Sequence, residues 1–147
     1  MKRQQLTSFY LEALLLVVIF VAMILVLTGV FGAARVQSTS ARRLSQAVTI
    51  AANAAEAVSA SDSLEQAAAL LDEGGNVRTA DGMLEGSYSS DGSPCTDGSG
   101  ALRLTVSWEP SPENASLVES RIAVYAADEV TPVYTLETAR WRKGAVS

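Results

Sequence analysis

From Ala13 to Ala34 the chain runs for 22 residues without a formal charge, most of them Leu, Val, Ile, Phe and Met. As a helix rising about 1.5 Å per residue this run is roughly 33 Å long, against roughly 30 Å for a bilayer's hydrocarbon core. Lipid offers no partner to backbone N–H and C=O groups, so a single apolar segment crosses it as a helix. The run therefore predicts one membrane-spanning helix over residues 9–35, preceded by a short leader, residues 1–8, that carries Lys2 and Arg3. Glu12 stands at the start of the run, where a carboxylate is costly and reads by default as functional.

The chain beyond the span is acidic. From Val36 onward there are 15 Asp and Glu against 8 Lys and Arg, so the overall charge of −5 lies beyond the membrane segment. Such a balance repels phosphate backbones and argues against nucleic acid as a partner. The chain has no histidine and one cysteine, Cys95. This excludes a His-based triad, the usual zinc ligand sets and an intrachain disulfide, and we expect neither enzyme activity nor a metal or other cofactor. No small-molecule substrate is evident. Basic residues flank the span almost evenly, with Arg35, Arg42 and Arg43 behind it, so positive charge does not decide the orientation. The Ser-, Thr-, Gly- and Ala-rich, Lys-poor remainder points to export and a cytoplasmic N-terminus. Gly32-Ala33-Ala34 has the small residues of a signal cleavage site. The apolar run exceeds the usual 7–15 residues of a signal core, however, which favours an uncleaved anchor.

The helix is predicted to continue past the membrane. Between Ser38 and Ser59 there is no Pro or Gly, and Leu44, Ala47, Val48, Ala51, Ala54, Ala55 and Val58 recur at steps of three and four. They form a narrow stripe of mostly small residues against which the rest of the domain would pack. Asp62-Ser63-Leu64-Glu65 signals a second, short helix of about ten residues, ended by Gly74-Gly75. Residues 36–75 are thus a helical stem with a short second helix, and residues 76–147 a small β domain. Within the latter, Asn76–Asp81 reads as loop and Met83–Tyr88 as a first strand. Ser89–Gly100 reads as a long exposed loop. Ala101–Trp108 alternates, with Leu102, Leu104, Val106 and Trp108 on one face. Leu117–Ala126 comes next with Val118, Ile122 and Val124, then Val133–Arg142 with Tyr134 and Leu136 inward. The predicted class is α+β: a long N-terminal helix on an antiparallel meander of three or four strands.

Few residues carry chemistry. Glu12 has no basic residue within one helical turn. It either sits hydrated in the headgroup layer or pairs with a positive group of another subunit. Thr28-x-x-x-Gly32 and Gly29-x-x-x-Ala33 allow close helix approach but are also ordinary in membrane helices. Asp81, Glu85, Asp91 and Asp97 lack the spacing of a calcium loop and read as solvated acids. Cys95 has no neighbour that would activate it and reads as an idle thiol. Asn114-Ala115-Ser116 matches a glycosylation triplet. Arg140-Trp141-Arg142-Lys143 reads as the charged end of an edge strand rather than a ligand site.

Phe9-Tyr10-Leu11-Glu12, followed by Ala13-Leu14-Leu15-Leu16-Val17-Val18-Ile19, resembles the N-terminal segment of type IV pilins and of the pseudopilins of type II secretion. The order of leader, aromatic residue, glutamate, apolar helix, Ala-rich stem and late strands is similar to theirs along nearly the whole chain. The resemblance implies a single-pass protein of a bacterial cell membrane, acting as a minor pilin or pseudopilin in a pilus or secretion filament. It implies lipid, other subunits and the assembly machinery as partners, with Phe9 and Glu12 as assembly residues. It also implies that Glu12 neutralises the N-terminal amine of a neighbouring subunit. Processing would fall at Thr7, Ser8 or Phe9. A glutamate in fifth place starts the mature chain at Ser8, whereas a start at Phe9 makes it fourth, and no Gly precedes either cut. The alternative is a single-pass anchored extracytoplasmic binding domain that does not polymerise.

Overall fold

The computed structural model describes residues 2–114 and 116–141, with side chains from Ser8 onward. Helix α1 is continuous from Lys2 to Ala60, so the predicted extension of the membrane helix into a stem is observed. The chain divides into two compact units, Met1–Ala41 and Arg42–Ser147. The first is the apolar part of α1.

In the second unit, α1 turns Ala47, Ile50, Ala51, Ala54, Ala57 and Val58 into the core. Alanine dominates because a helix lying close over a sheet leaves no room for longer side chains. The predicted stripe is rotated slightly. Leu44 and Val48 are 46% and 39% exposed, and Ile50 and Ala57, outside the predicted stripe, are buried. Helix α2 spans Leu64–Leu71, eight residues rather than ten. Its cap is Ser63, one residue later than an Asp62–Glu65 pairing would give: Ser63 Oγ accepts from Gln66 N–H at 3.2 Å, and Gln66 Oε1 accepts from Asp62 N–H at 2.9 Å. The helix closes at Asp72, whose N–H donates to Ala68 O and whose carboxylate accepts from Gly75 N–H.

Five strands complete the unit: β1 (Val77–Ala80), β2 (Met83–Tyr88), β3 (Leu102–Pro110), β4 (Leu117–Ala126) and β5 (Pro132–Trp141). They form one antiparallel sheet in the order β1-β2-β3-β4-β5. The prediction of three or four strands is corrected by β1, which lies in the stretch read as loop. Its four residues are half-buried or exposed and carry no apolar alternation. What makes the hairpin is the two-residue turn Asp81-Gly82, with φ of 53° and 74°, the Asp-Gly turn that matches strand twist. Leu84, Leu102, Leu104, Val106, Ile122 and Val124 alternate inward from β2, β3 and β4 and meet the alanine stripe, Ala67 and Leu71 in one core. Tyr134 and Leu136 of β5 and Val77 of β1 pack on its margins half-buried. Arg142 and Lys143 lie outside the described residues, so the strand read to Arg142 is described to Trp141.

The loop between β2 and β3 holds itself. Cys95 N–H donates to Ser87 O, Ser89 N–H to Ser93 O and Gly92 N–H to Ser89 O. Gly100 lies directly on the backbone of Tyr88: a Cβ there would stand 2.6 Å from Tyr88 O and 2.7 Å from Tyr88 N. The same close approach pins the loop's return to β3.

Candidate functional site

The feature that most needs a partner is the apolar part of α1. From Phe9 to Val36, 19 large apolar side chains are 46% to 70% exposed, all around the helix rather than along one stripe. Soluble monomers rarely leave contiguous apolar patches above a few hundred Å² uncovered. This helix is long and apolar enough to cross a membrane. Thr28 fits that setting, because its hydroxyl donates to Ile24 O at 2.8 Å and so brings no unsatisfied polar group into the apolar zone.

Ser8, Phe9 and Glu12 occupy successive turns at the start of this surface, and all three are exposed. The helix places Ser8 and Glu12 four residues apart on one face. Phe9 packs edge-on against Tyr10, with ring centroids 6.3 Å apart. Glu12 has no ion-pair partner among the described residues. Thr7 is within α1, and its side chain lies outside the described residues, as do those of Lys2 and Arg3. The helix thus places Phe9 and Glu12 close together and exposed at the start of this surface, with no charged side chain against Glu12 among the described residues.

A second, smaller feature lies in the β-domain unit. A cleft of about 300 Å³ is lined by Asp62, Ser63, Leu64, Glu65, Trp108, Val118 and Arg140. The Arg140 guanidinium stacks 4.7 Å from the Trp108 ring centroid and lies 3.7 Å from an Asp62 carboxylate oxygen. Arg140 is thus more than the exposed end of an edge strand. It ties β5 to β3 and to the loop before α2, a role its sequence position did not announce. Glu65, at the first turn of α2, is held below the usual carboxylate range by its own backbone N–H and the Ser63 hydroxyl.

The loop acids have local work. The Ser89 and Ser93 side of the loop holds Asp91 low, chiefly through the Ser89 hydroxyl. Ser99 does the same for Asp97 through its hydroxyl at 2.7 Å and its N–H at 3.1 Å. Among the described residues no group of three or more His, Cys, Asp or Glu side chains could hold a metal. Cys95 is half-buried, a free thiol 4.0 Å from Ser93 O. Of the glycosylation triplet, Asn114 and Ser116 form a turn, with Asn114 Oδ1 accepting from Ser116 N–H, and Ala115 lies outside the described residues. Tyr88 is raised above the ordinary tyrosine value by burial. Compared with known proteins, the chain matches no family model, no curated protein and no solved structure.

Proposed function

We propose that the chain is a single-pass membrane protein that serves as a structural subunit of a bacterial filament of the type IV pilus or type II secretion kind. In this reading the apolar part of α1 both anchors the chain and packs against other subunits, and the β domain is carried outside the membrane, the N-terminus lying in the cytoplasm. The observation that carries it is the outward-facing apolar collar of 19 side chains with Glu12 at its beginning and no partner for Glu12 within the described chain. A helix that only anchored would be served by lipid alone. A carboxylate at the edge of that helix gains from a positive group on a neighbour, since opposite charges a few ångströms apart attract strongly where water is scarce. By the resemblance of Phe9 to Ile19, that group is the N-terminal amine of the next subunit. The long helix on an antiparallel sheet supports the same reading. It assigns no catalysis to the chain.

The test is a pair of measurements on Glu12→Ala in intact membranes. Site-directed crosslinking from the apolar helix to partner subunits should be lost, while the chain stays in the membrane fraction. Unchanged crosslinking would move the assignment to a non-polymerising anchored domain.

A further inference from the structure

The triplet Asn114-Ala115-Ser116 has no part in filament assembly through α1. N-glycosylation joins a sugar to an asparagine that has Ser or Thr two residues later and anything but proline between, and it marks surface loops. The chain has three asparagines, Asn53, Asn76 and Asn114. Two residues after Asn53 stands Ala55, and two after Asn76 stands Arg78, so neither has the hydroxyl. The fold separates the three as well. Asn53 lies within α1. Asn76 is buried, and its side-chain oxygen accepts from Glu73 N–H at 2.9 Å. Asn114 alone is exposed and outside helix and strand.

Residues 111–116 join β3 to β4. Ser111 N–H donates to Leu117 O and Leu117 N–H to Asn114 O, both at 2.8 Å, so backbone bonds close the neck of the connection. Beyond the neck, Pro112, Glu113 and Asn114 are exposed and Ser116 is half-buried. The Asn114 side-chain oxygen accepts from Ser116 N–H at 2.9 Å. A side-chain amide carries its acceptor and its donors on opposite corners, so this bond sets which way the group lies and directs Nδ2 away from the Ser116 N–H. Among the described residues neither Asn114 Nδ2 nor the Ser116 hydroxyl is engaged in a hydrogen bond. The amide nitrogen and the hydroxyl that the triplet requires are thus both uncommitted. Of Ala115 the triplet asks only that it is not proline.

We propose that Asn114 is an N-glycosylation acceptor whose donor is a sugar chain linked through diphosphate to a polyprenyl lipid. The reaction forms a bond between Asn114 Nδ2 and the anomeric carbon of the first sugar. The bond from that carbon to the diphosphate oxygen breaks, and its electron pair leaves with the lipid diphosphate. The amide proton passes to a base of the transferase, and nothing is oxidised or reduced. Pro112, Glu113 and Asn114 take no part in the apolar core, so this segment enters a transferase without opening the core. A sugar chain on Nδ2 then extends into water and displaces no packed side chain. The assignment rests on the reading that the β domain is carried outside the membrane, the side on which lipid-linked sugar chains are transferred to protein.

The test is mass spectrometry of the full chain, extracted from the membranes of the cells that make it and cut with trypsin. Cleavage after Arg103 and Arg121 releases Leu104–Arg121, in which Asn114 is the only asparagine. That peptide should be shifted upward by a series of sugar masses, and electron-transfer fragmentation should place the shift on Asn114. Asn114→Gln and Ser116→Ala should each lose the shift completely, whereas Ser116→Thr, which keeps a hydroxyl, should retain it. Neither loss variant removes a backbone bond of the connection, so both should keep the near-UV circular dichroism of the wild type. An unshifted peptide from the wild-type chain would overturn the proposal. So would a sugar that remains on the peptide in Asn114→Gln or Ser116→Ala. Protease added outside the intact cytoplasmic membrane reads the position of the β domain separately. A domain it cannot reach overturns the outward-facing reading and the acceptor with it, whereas a digested domain with bare Asn114 overturns the acceptor alone.

Discussion

Ala51→Leu is the most direct probe of how the stem is held on the sheet. Ala47, Ala51 and Ala54 have no exposed surface, and the side chains in the same core, Leu84, Leu104, Val106, Ile122 and Val124, are equally closed. Leucine brings three more carbons to a place without space for them. If the helix could lift freely, the added burial would return about 0.8 kcal/mol per carbon. Lifting, however, uncovers the neighbouring alanines and opens the layer, and overpacked cores typically lose about 1–3 kcal/mol in sum. Helix propensity contributes little, because Ala and Leu are both strong formers. Ala52→Leu, on an exposed face of the same helix, is the control and should stay within about 0.5 kcal/mol of wild type. Near 100 residues a kilocalorie moves Tm by about 4–8 °C, so Ala51→Leu should lower it by roughly 5–20 °C. The assay is thermal unfolding in detergent micelles, read by near-UV circular dichroism. Equal Tm values for the two leucine variants would refute the close helix–sheet contact.

Two other substitutions test particular contacts. Gly100→Ala places a Cβ 2.6 Å from Tyr88 O and 2.7 Å from Tyr88 N, atoms of a strand backbone that cannot swing aside. It should cost about 3 kcal/mol, the top of the overpacking range, and a Tm within 2 °C (about 0.5 kcal/mol) of wild type would contradict that geometry. Tyr88 is held above its ordinary value of 10.0 by burial, so the folded chain keeps the phenol proton that the unfolded chain gives up. The stability this supplies is complete below pH 10 and falls as pH rises through the folded value. Tyr88→Phe should therefore show a shallower loss of Tm between pH 10 and 11. Parallel alkaline limbs in the two proteins would show that Tyr88 does not titrate across unfolding.

The parts of the fold governed by repeated burial were legible in the sequence. An uncharged run, a stripe at steps of three and four and two clean alternations each report a face turned from water, and α1, β3 and β4 lie where those patterns put them. β1 escaped because it covers almost nothing: a four-residue strand on an open edge needs no apolar alternation, and only the Asp81-Gly82 turn betrays it. The rotation of the stem stripe past Leu44 and Val48 escaped because alanine is tolerated on any face, so a run rich in alanine defines a helix better than it defines its inward side. The one-residue shift of the α2 cap reflects two adjacent residues, Asp62 and Ser63, both able to cap. Arg140 was invisible as a tie because its partners, Trp108 and Asp62, are 32 and 78 residues away in sequence. Glu12 and Phe9 were conspicuous in the sequence for what the helix around them lacks. What Glu12 meets was not legible, since nothing within the described chain faces it.

The central claim is that the apolar part of α1 is a working surface of the finished protein and not a removable address. The measurement that tests it most directly is the N-terminal residue of the chain extracted from membranes, read by mass spectrometry. The account predicts a chain that retains Ser8–Ala34, whether its first residue is Met1, Ser8 or Phe9, and Ser8 or Phe9 would add pilin-type processing to it. A chain that begins at Arg35 would have discarded the helix together with Phe9 and Glu12, and would contradict the account.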